Sequence, residues 1–97
     1  MINDKYPHLL QLFSCYFHQD WFEEFDSPNM AVDEFVKSEA AESVNAAKLE
    51  IKSILNSEYS ENEVSNILSE LGCYYDPLVD YENINIWLED VLGRLGS

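Results

Sequence analysis

Apolar side chains recur along this chain with the period of an α-helix and nowhere with the period of a strand. Leu9, Leu12, Phe13, Tyr16 and Phe17 stand at i, i+3, i+4, i+7 and i+8, which lays them along one helical face. Tyr6-Pro7 opens that segment, since proline is tolerated where a backbone N–H would lack a partner anyway. Ser27-Pro28 marks a second start, with Val32, Phe35 and Val36 on one side and an end near Ser38. The longest segment runs from Glu39 to Ser57. Its apolar line is Ala40, Val44, Ala47, Ile51, Ile54 and Leu55, while Glu42, Lys48, Glu50 and Lys52 point elsewhere. The alanines in that line predict a close helix crossing.

Ser60-x-x-Glu63 fits a capping box ahead of the stripe Val64, Ile67, Leu68 and Leu71, and Gly72 is placed to close that helix in a left-handed cap. From Cys73 to Asp80 the sequence reads as an apolar loop that lies down on the core. Asn83 caps a last helix carrying Ile84, Trp87, Leu88, Val91, Leu92 and Leu95, and Gly96 and Ser97 are its fraying end. The expected fold is all-α, a compact single-domain bundle of about five helices spanning residues 1–97.

A chain of 97 residues, 46% apolar, can bury one core without staples. Cys15 and Cys73 do not make a disulfide framework, which in short secreted chains usually needs roughly four or more cysteines. They are expected as free, mostly buried thiols. No secretory leader is evident, and no apolar run approaches the roughly 20 residues of a membrane span. The expected location is cytoplasmic.

Charge is the outlying property: nineteen acids against five bases, a formal net of −14. Solubility alone asks for a net charge of roughly 2–8 in magnitude. Between Lys52 and Arg94 lie nine acids and no base, and Asp20, Glu23, Glu24 and Asp26 fall within seven residues. Such a field repels nucleic acid and anionic membranes and attracts basic proteins. Aromatic residues interleave with the acids: Trp21, Phe22 and Phe25 in the first cluster, Tyr75 and Tyr81 around Asp76 and Asp80 in the second. Exposed rings there would supply desolvated anchors, whereas Trp21 and Trp87 read better as core. Asp20, Glu23, Glu24, Asp26, Tyr75, Asp76, Asp80 and Glu82 are therefore the candidate partner-binding residues. One cluster is expected to hold the contact and the other to matter little, because an interface covers only about 20–30 residues a side.

Catalysis finds little support. His18 near Asp20 could form a general base with its partner, and Cys15-x-x-His18 could open a metal site, but no second ligand pair follows. A histidine at a helix end more commonly interacts with the helix dipole. No nucleophile elbow, glycine-rich phosphate loop or calcium-loop pattern is present. The sequence assigns no catalytic, cofactor-binding or metal-binding residue and no cofactor.

The strings Tyr6-Pro7-His8-Leu9, Tyr16-Phe17-His18-Gln19-Asp20-Trp21 and Leu71-Gly72-Cys73-Tyr74-Tyr75-Asp76-Pro77, with the closing Trp87-Leu88 helix, resemble the helical immunity proteins of bacterial contact-dependent growth inhibition systems. The resemblance runs from Tyr6 to Leu95. It departs after Trp21, where Phe22-Glu23-Glu24-Phe25-Asp26 replaces an acidic, glycine-containing turn. It implies a cytosolic antidote that is not an enzyme and that binds the C-terminal toxin domain of such a system. Many such toxins are nucleases with basic clefts, an RNase or DNase, which an acidic inhibitor matches in charge. The competing reading is an acidic helical adaptor, or nucleic-acid mimic, for another basic protein; an enzyme built on His18 and Asp20 is a distant third.

Overall fold

Local propensity and capping place the helices before any packing is considered. The computed structural model describes residues 2–96, and Ser97, read above as part of the fraying end, lies outside them. The elements are α1 (Ile2–Lys5), α2 (Pro7–Tyr16), α3 (Trp21–Glu24), α4 (Pro28–Ser38), α5 (Ala41–Leu55), α6 (Glu61–Glu70) and α7 (Ile84–Arg94), with a 3-10 turn at Pro77–Val79. No strand occurs among the described residues. The five apolar stripes are α2, α4, α5, α6 and α7. Single turns such as α1 and α3 are too short to display a period, and the sequence did not reveal them.

The caps explain most boundaries. Ser27 accepts the Met30 N–H at 3.2 Å, and Asn83 accepts the Ile86 N–H at 2.9 Å. Both halves of the capping box form, Glu63 N–H to Ser60 Oγ at 3.2 Å and Ser60 N–H to Glu63 Oε1 at 3.1 Å. At the other end of α6 the Gly72 N–H reaches Ser69 O and the Cys73 N–H reaches Leu68 O, the paired bonds of a Schellman cap. Gly72 has φ +86, and a Cβ there would sit 3.1 Å from Ser14 Cβ. Conformation and close approach to α2 both select glycine.

One boundary differs from the expectation. Helix α5 begins at Ala41, not Glu39, because Glu39 is the extended C-cap of α4. Its carboxylate is held in the tertiary structure, by Gln11 Nε2 at 2.7 Å and the Tyr16 hydroxyl at 2.8 Å.

Helices α2, α5 and α7 form the centre, with α4 across them and α6 against α7. Ala47 of α5 is fully buried, in keeping with the close crossing its small side chain allows. The radius of gyration is 12.1 Å, near the about 13 Å of a compact chain of about 100 residues. Phe13 of α2 and Phe17, its C-cap, bracket Trp87 of α7 at 6.0 and 5.6 Å between ring centroids. Among the described residues no polar or charged one is fully buried.

Glu50 departs from the outward direction expected of it. Tyr6, the N-cap of α2, provides no side-chain cap, and the Glu50 carboxylate on α5 takes over that role. It accepts the His8 N–H at 3.0 Å, the Leu9 N–H at 2.9 Å and a bond with His8 Nδ1 at 2.7 Å. A negative charge at a helix N-terminus is further favoured by the macrodipole. Glu50→Ala is expected to cost about 1.5–3 kcal/mol, the usual range for hydrogen bonds to a charged group. Glu50→Gln should cost less, since its amide oxygen still accepts. Equal urea midpoints for wild type and Glu50→Ala would contradict the tertiary cap.

Candidate functional site

The segments that carry the two acid clusters are far apart in sequence and touch in the fold. Asp20 is the N-cap of α3, Glu23 and Glu24 lie on that helix, and Asp26 follows it; all four are exposed. Asp76 and Asp80 cap the 3-10 turn, and they and Glu82 are exposed as well. The link between the clusters is aromatic and backbone. Trp21 packs edge-on against Tyr75 with centroids 5.4 Å apart, and the Tyr74 N–H donates to Phe17 O at 2.8 Å. Tyr75 in turn lies 5.2 Å from Trp87. A row of rings thus runs from the core outward through Trp87, Tyr75 and Trp21 to Phe22.

Tyr75 corrects the expectation of an exposed aromatic: only 7% of it is accessible. Its ring belongs to the core, and its hydroxyl donates to Asp80 Oδ2 at 2.7 Å. Burial, and then the hydrogen bond and charge of Asp80, hold its phenol well above the usual tyrosine range. The same pairing recurs where Tyr81 donates to Asp90 Oδ2 at 3.0 Å and Tyr16 to Glu39, where burial and then Glu39 push Tyr16 up to about 12. Asp76 Oδ1 accepts the Leu78 N–H at 3.0 Å. Among the candidate acids, Glu24, Asp76 and Asp80 have side chains fixed in direction by a hydrogen bond.

The turn between the capping aspartates also corrects the picture of a loop lying wholly on the core. Tyr75 and Pro77 are buried, but Tyr74 is 64% exposed, Leu78 51% and Val79 76%. With Phe22, also 64% exposed, these large apolar side chains project beside the acids. Sequence reading found Phe22 and missed the other three. The available signal was the pair of aspartates bounding Pro77-Leu78-Val79, which marks a short turn whose tips must face water.

His18 is neutralised as a catalytic candidate by its partners. Its Nδ1 accepts the Asp20 N–H at 3.1 Å and its Nε2 faces Glu24 Oε2 at 3.1 Å. It therefore closes the α2–α3 corner rather than pairing with the Asp20 carboxylate or the dipole of α2. Cys15 is exposed, against expectation, while Cys73 is half-buried. The Cys73 thiol donates to Tyr75 O at 3.4 Å, and burial pushes it up to about 12, so it is not a thiolate nucleophile at neutral pH. Among the described residues no three His, Cys, Asp or Glu side chains gather as metal ligands. No helix among them is long and apolar enough to cross a membrane. His18→Ala is expected to fold and to bind its partner as wild type does; loss of biological activity with partner binding intact would reveal chemistry at this corner.

The model of the CdiI immunity protein family matches residues 5–95 of the chain. A chain in the crystal structure of a CdiA-CT/CdiI complex from Y. kristensenii matches with a TM-score of 0.90 at 28% sequence identity, covering 95% of this chain and 99% of that one. No curated protein matches significantly.

Proposed function

The chain belongs to the CdiI immunity protein family, whose members are inhibitors and not enzymes, and from that premise we propose that it neutralises the C-terminal toxin domain of a contact-dependent growth inhibition system, a basic domain with nuclease activity. The observation that carries the proposal is the packing of Trp21 on Tyr75, which joins the two segments that bear the acid clusters. Exposed carboxylates on these joined segments would together present negative charge to a basic surface. Steering by such a field raises the encounter rate, and carboxylates opposite Lys and Arg fix the register of docking. A nuclease cleft is lined with cations to hold phosphates, so the face that repels nucleic acid complements the site that binds it. Nothing in the mechanism asks the chain for a bond-making step: occlusion suffices. The antidote acts in the cytoplasm, where the toxin would meet its substrate. That the similar solved chain comes from a CdiA-CT/CdiI complex supports binding of such a C-terminal domain.

The experiment is co-expression with the toxin domain encoded immediately upstream, then co-purification and assays of that domain on tRNA and DNA with and without the chain. Stable co-purification and nuclease activity suppressed at stoichiometric chain are expected. A toxin domain that cleaves neither substrate would remove the nuclease assignment, and failure to co-purify would remove the antidote reading.

A further inference from the structure

Seven large apolar side chains are exposed among the described residues: Phe22, Met30, Leu49, Tyr74, Leu78, Val79 and Ile86. Four of them, Phe22, Tyr74, Leu78 and Val79, come from two segments that the Trp21–Tyr75 contact ties together. Their exposure runs from 51% to 76%, and burying side chains of this size on association is strongly favourable.

The turn that carries Leu78 and Val79 is fixed before any partner arrives. Pro77 and Tyr75 are buried beneath it. The Leu78 N–H is bonded to Asp76 Oδ1, the Val79 N–H to Asp76 O at 3.1 Å, and the Asp80 and Tyr81 N–H groups both to Pro77 O at 3.1 and 2.8 Å. Binding through this turn would forfeit little backbone entropy, which is what separates an anchor from a contact that must first be ordered. Its flanks, Asp76 and Asp80, are both acidic, and no Lys or Arg lies between Lys52 and Arg94.

We propose that Leu78 and Val79, supported by Phe22 and Tyr74, are the apolar anchor of the toxin interface and seat in an apolar depression rimmed by Lys or Arg on the toxin domain. The charge around the patch specifies that rim: an apolar tip bounded by carboxylates is complementary to a cleft that is basic at its edge. This rests on the antidote reading. The acids govern how fast the complex forms, and the anchor governs how long it lasts.

The test compares association and dissociation rates for the upstream-encoded toxin domain with wild type, the double variant Leu78→Ser/Val79→Ser, Phe22→Ser, and the control Leu49→Ser, an exposed leucine of α5 outside this set. The double variant is expected to leave circular dichroism and melting unchanged and to raise the dissociation rate about 30-fold, as loss of a hot spot does. Its association rate should stay within about twofold of wild type. Phe22→Ser should raise dissociation by a smaller factor, and Leu49→Ser should not. Wild-type binding with an unchanged dissociation rate in the double variant overturns the anchor and leaves the antidote reading standing. Absence of wild-type binding overturns both. Concentration-dependent dimerisation of the chain alone, abolished by the double variant, would make the patch a self-association surface and overturn the inference as well.

Discussion

Replacing Trp87 with alanine is expected to remove about 3–5 kcal/mol of folding stability, the usual range for truncating a fully buried tryptophan. A domain of this size has about 5–15 kcal/mol in all, so the variant should be partly unfolded under mild conditions. The reason is position as much as size. Trp87 is fully buried and touches Phe13, Phe17 and Tyr75 at 6.0, 5.6 and 5.2 Å between centroids. It therefore connects α2 and α7 to the segment that carries the 3-10 turn. Alanine leaves a cavity that three aromatic rings cannot close without shifting, and Tyr75, which orients Asp80, is one of the three. Trp87→Phe keeps an aromatic ring and should recover more than half of the loss. With a urea slope of about 1–3 kcal/mol per M, the alanine midpoint should fall by at least about 1 M. A change below that would mean that α2 and α7 are held together without this cluster. A second consequence is functional. The Trp87→Ala chain that remains folded under mild conditions should dissociate from the toxin faster, because the turn has lost its support.

The elements that were legible in the sequence are those whose causes are local. Ser27-Pro28, the Ser60–Glu63 box, Gly72 and Asn83 each satisfy backbone groups within a few residues, and each was found where the pattern placed it. The stripes were legible because burial repeats along a helix. Apart from the single turns α1 and α3, what the sequence hides depends mostly on partners distant in sequence. Glu50 sits on the polar side of the α5 pattern, and only the packing of α2 beside α5 makes it a cap. The sole local sign was negative: a helix opening at Tyr6-Pro7 without a Ser, Thr, Asp or Asn to cap it. Glu39 lies outside α5, where Tyr16 and Gln11 hold its carboxylate.

The candidate site was half legible for the same reason. That Asp20, Glu23, Glu24, Asp26, Asp76, Asp80 and Glu82 would be exposed followed from composition. That the two segments bearing them touch did not, since it depends on Trp21 meeting Tyr75 across more than fifty residues of chain. Tyr75 and Tyr74 are adjacent in sequence and identical in type, yet one is buried and the other exposed. No composition argument separates them. The distinction is tertiary: the Tyr74 amide bonds Phe17 O, and it is the Tyr75 ring that packs against Phe17, Trp21 and Trp87.

Neutralising both clusters together is expected to slow association with the toxin domain by about tenfold to a hundredfold at low salt, within the range attributed to electrostatic steering. The substitutions are Asp20→Asn, Glu23→Gln, Glu24→Gln and Asp26→Asn with Asp76→Asn, Asp80→Asn and Glu82→Gln, which halve the formal charge of −14. Amides are the right replacements, because the oxygen that receives the Leu78 N–H or the Tyr75 hydroxyl is retained and the fold is disturbed little. Since the two segments that bear the clusters touch, each set alone should produce part of the effect, and the double set should produce more than either. The wild-type rate should fall as salt rises, because exposed charges are screened beyond about 8–10 Å near physiological ionic strength. The neutral variant should respond to salt weakly, so that the two rates converge as ionic strength increases. Dissociation should change less than association, except where a carboxylate is desolvated against a toxin arginine; Asp76 and Asp80, which have fixed side chains beside the exposed turn, are the positions to examine for that. The measurement is stopped-flow association at several salt concentrations. Rates that coincide for wild type and the neutral variant at low salt would reduce the acidity to a matter of solubility and would leave the basic character of the partner without support.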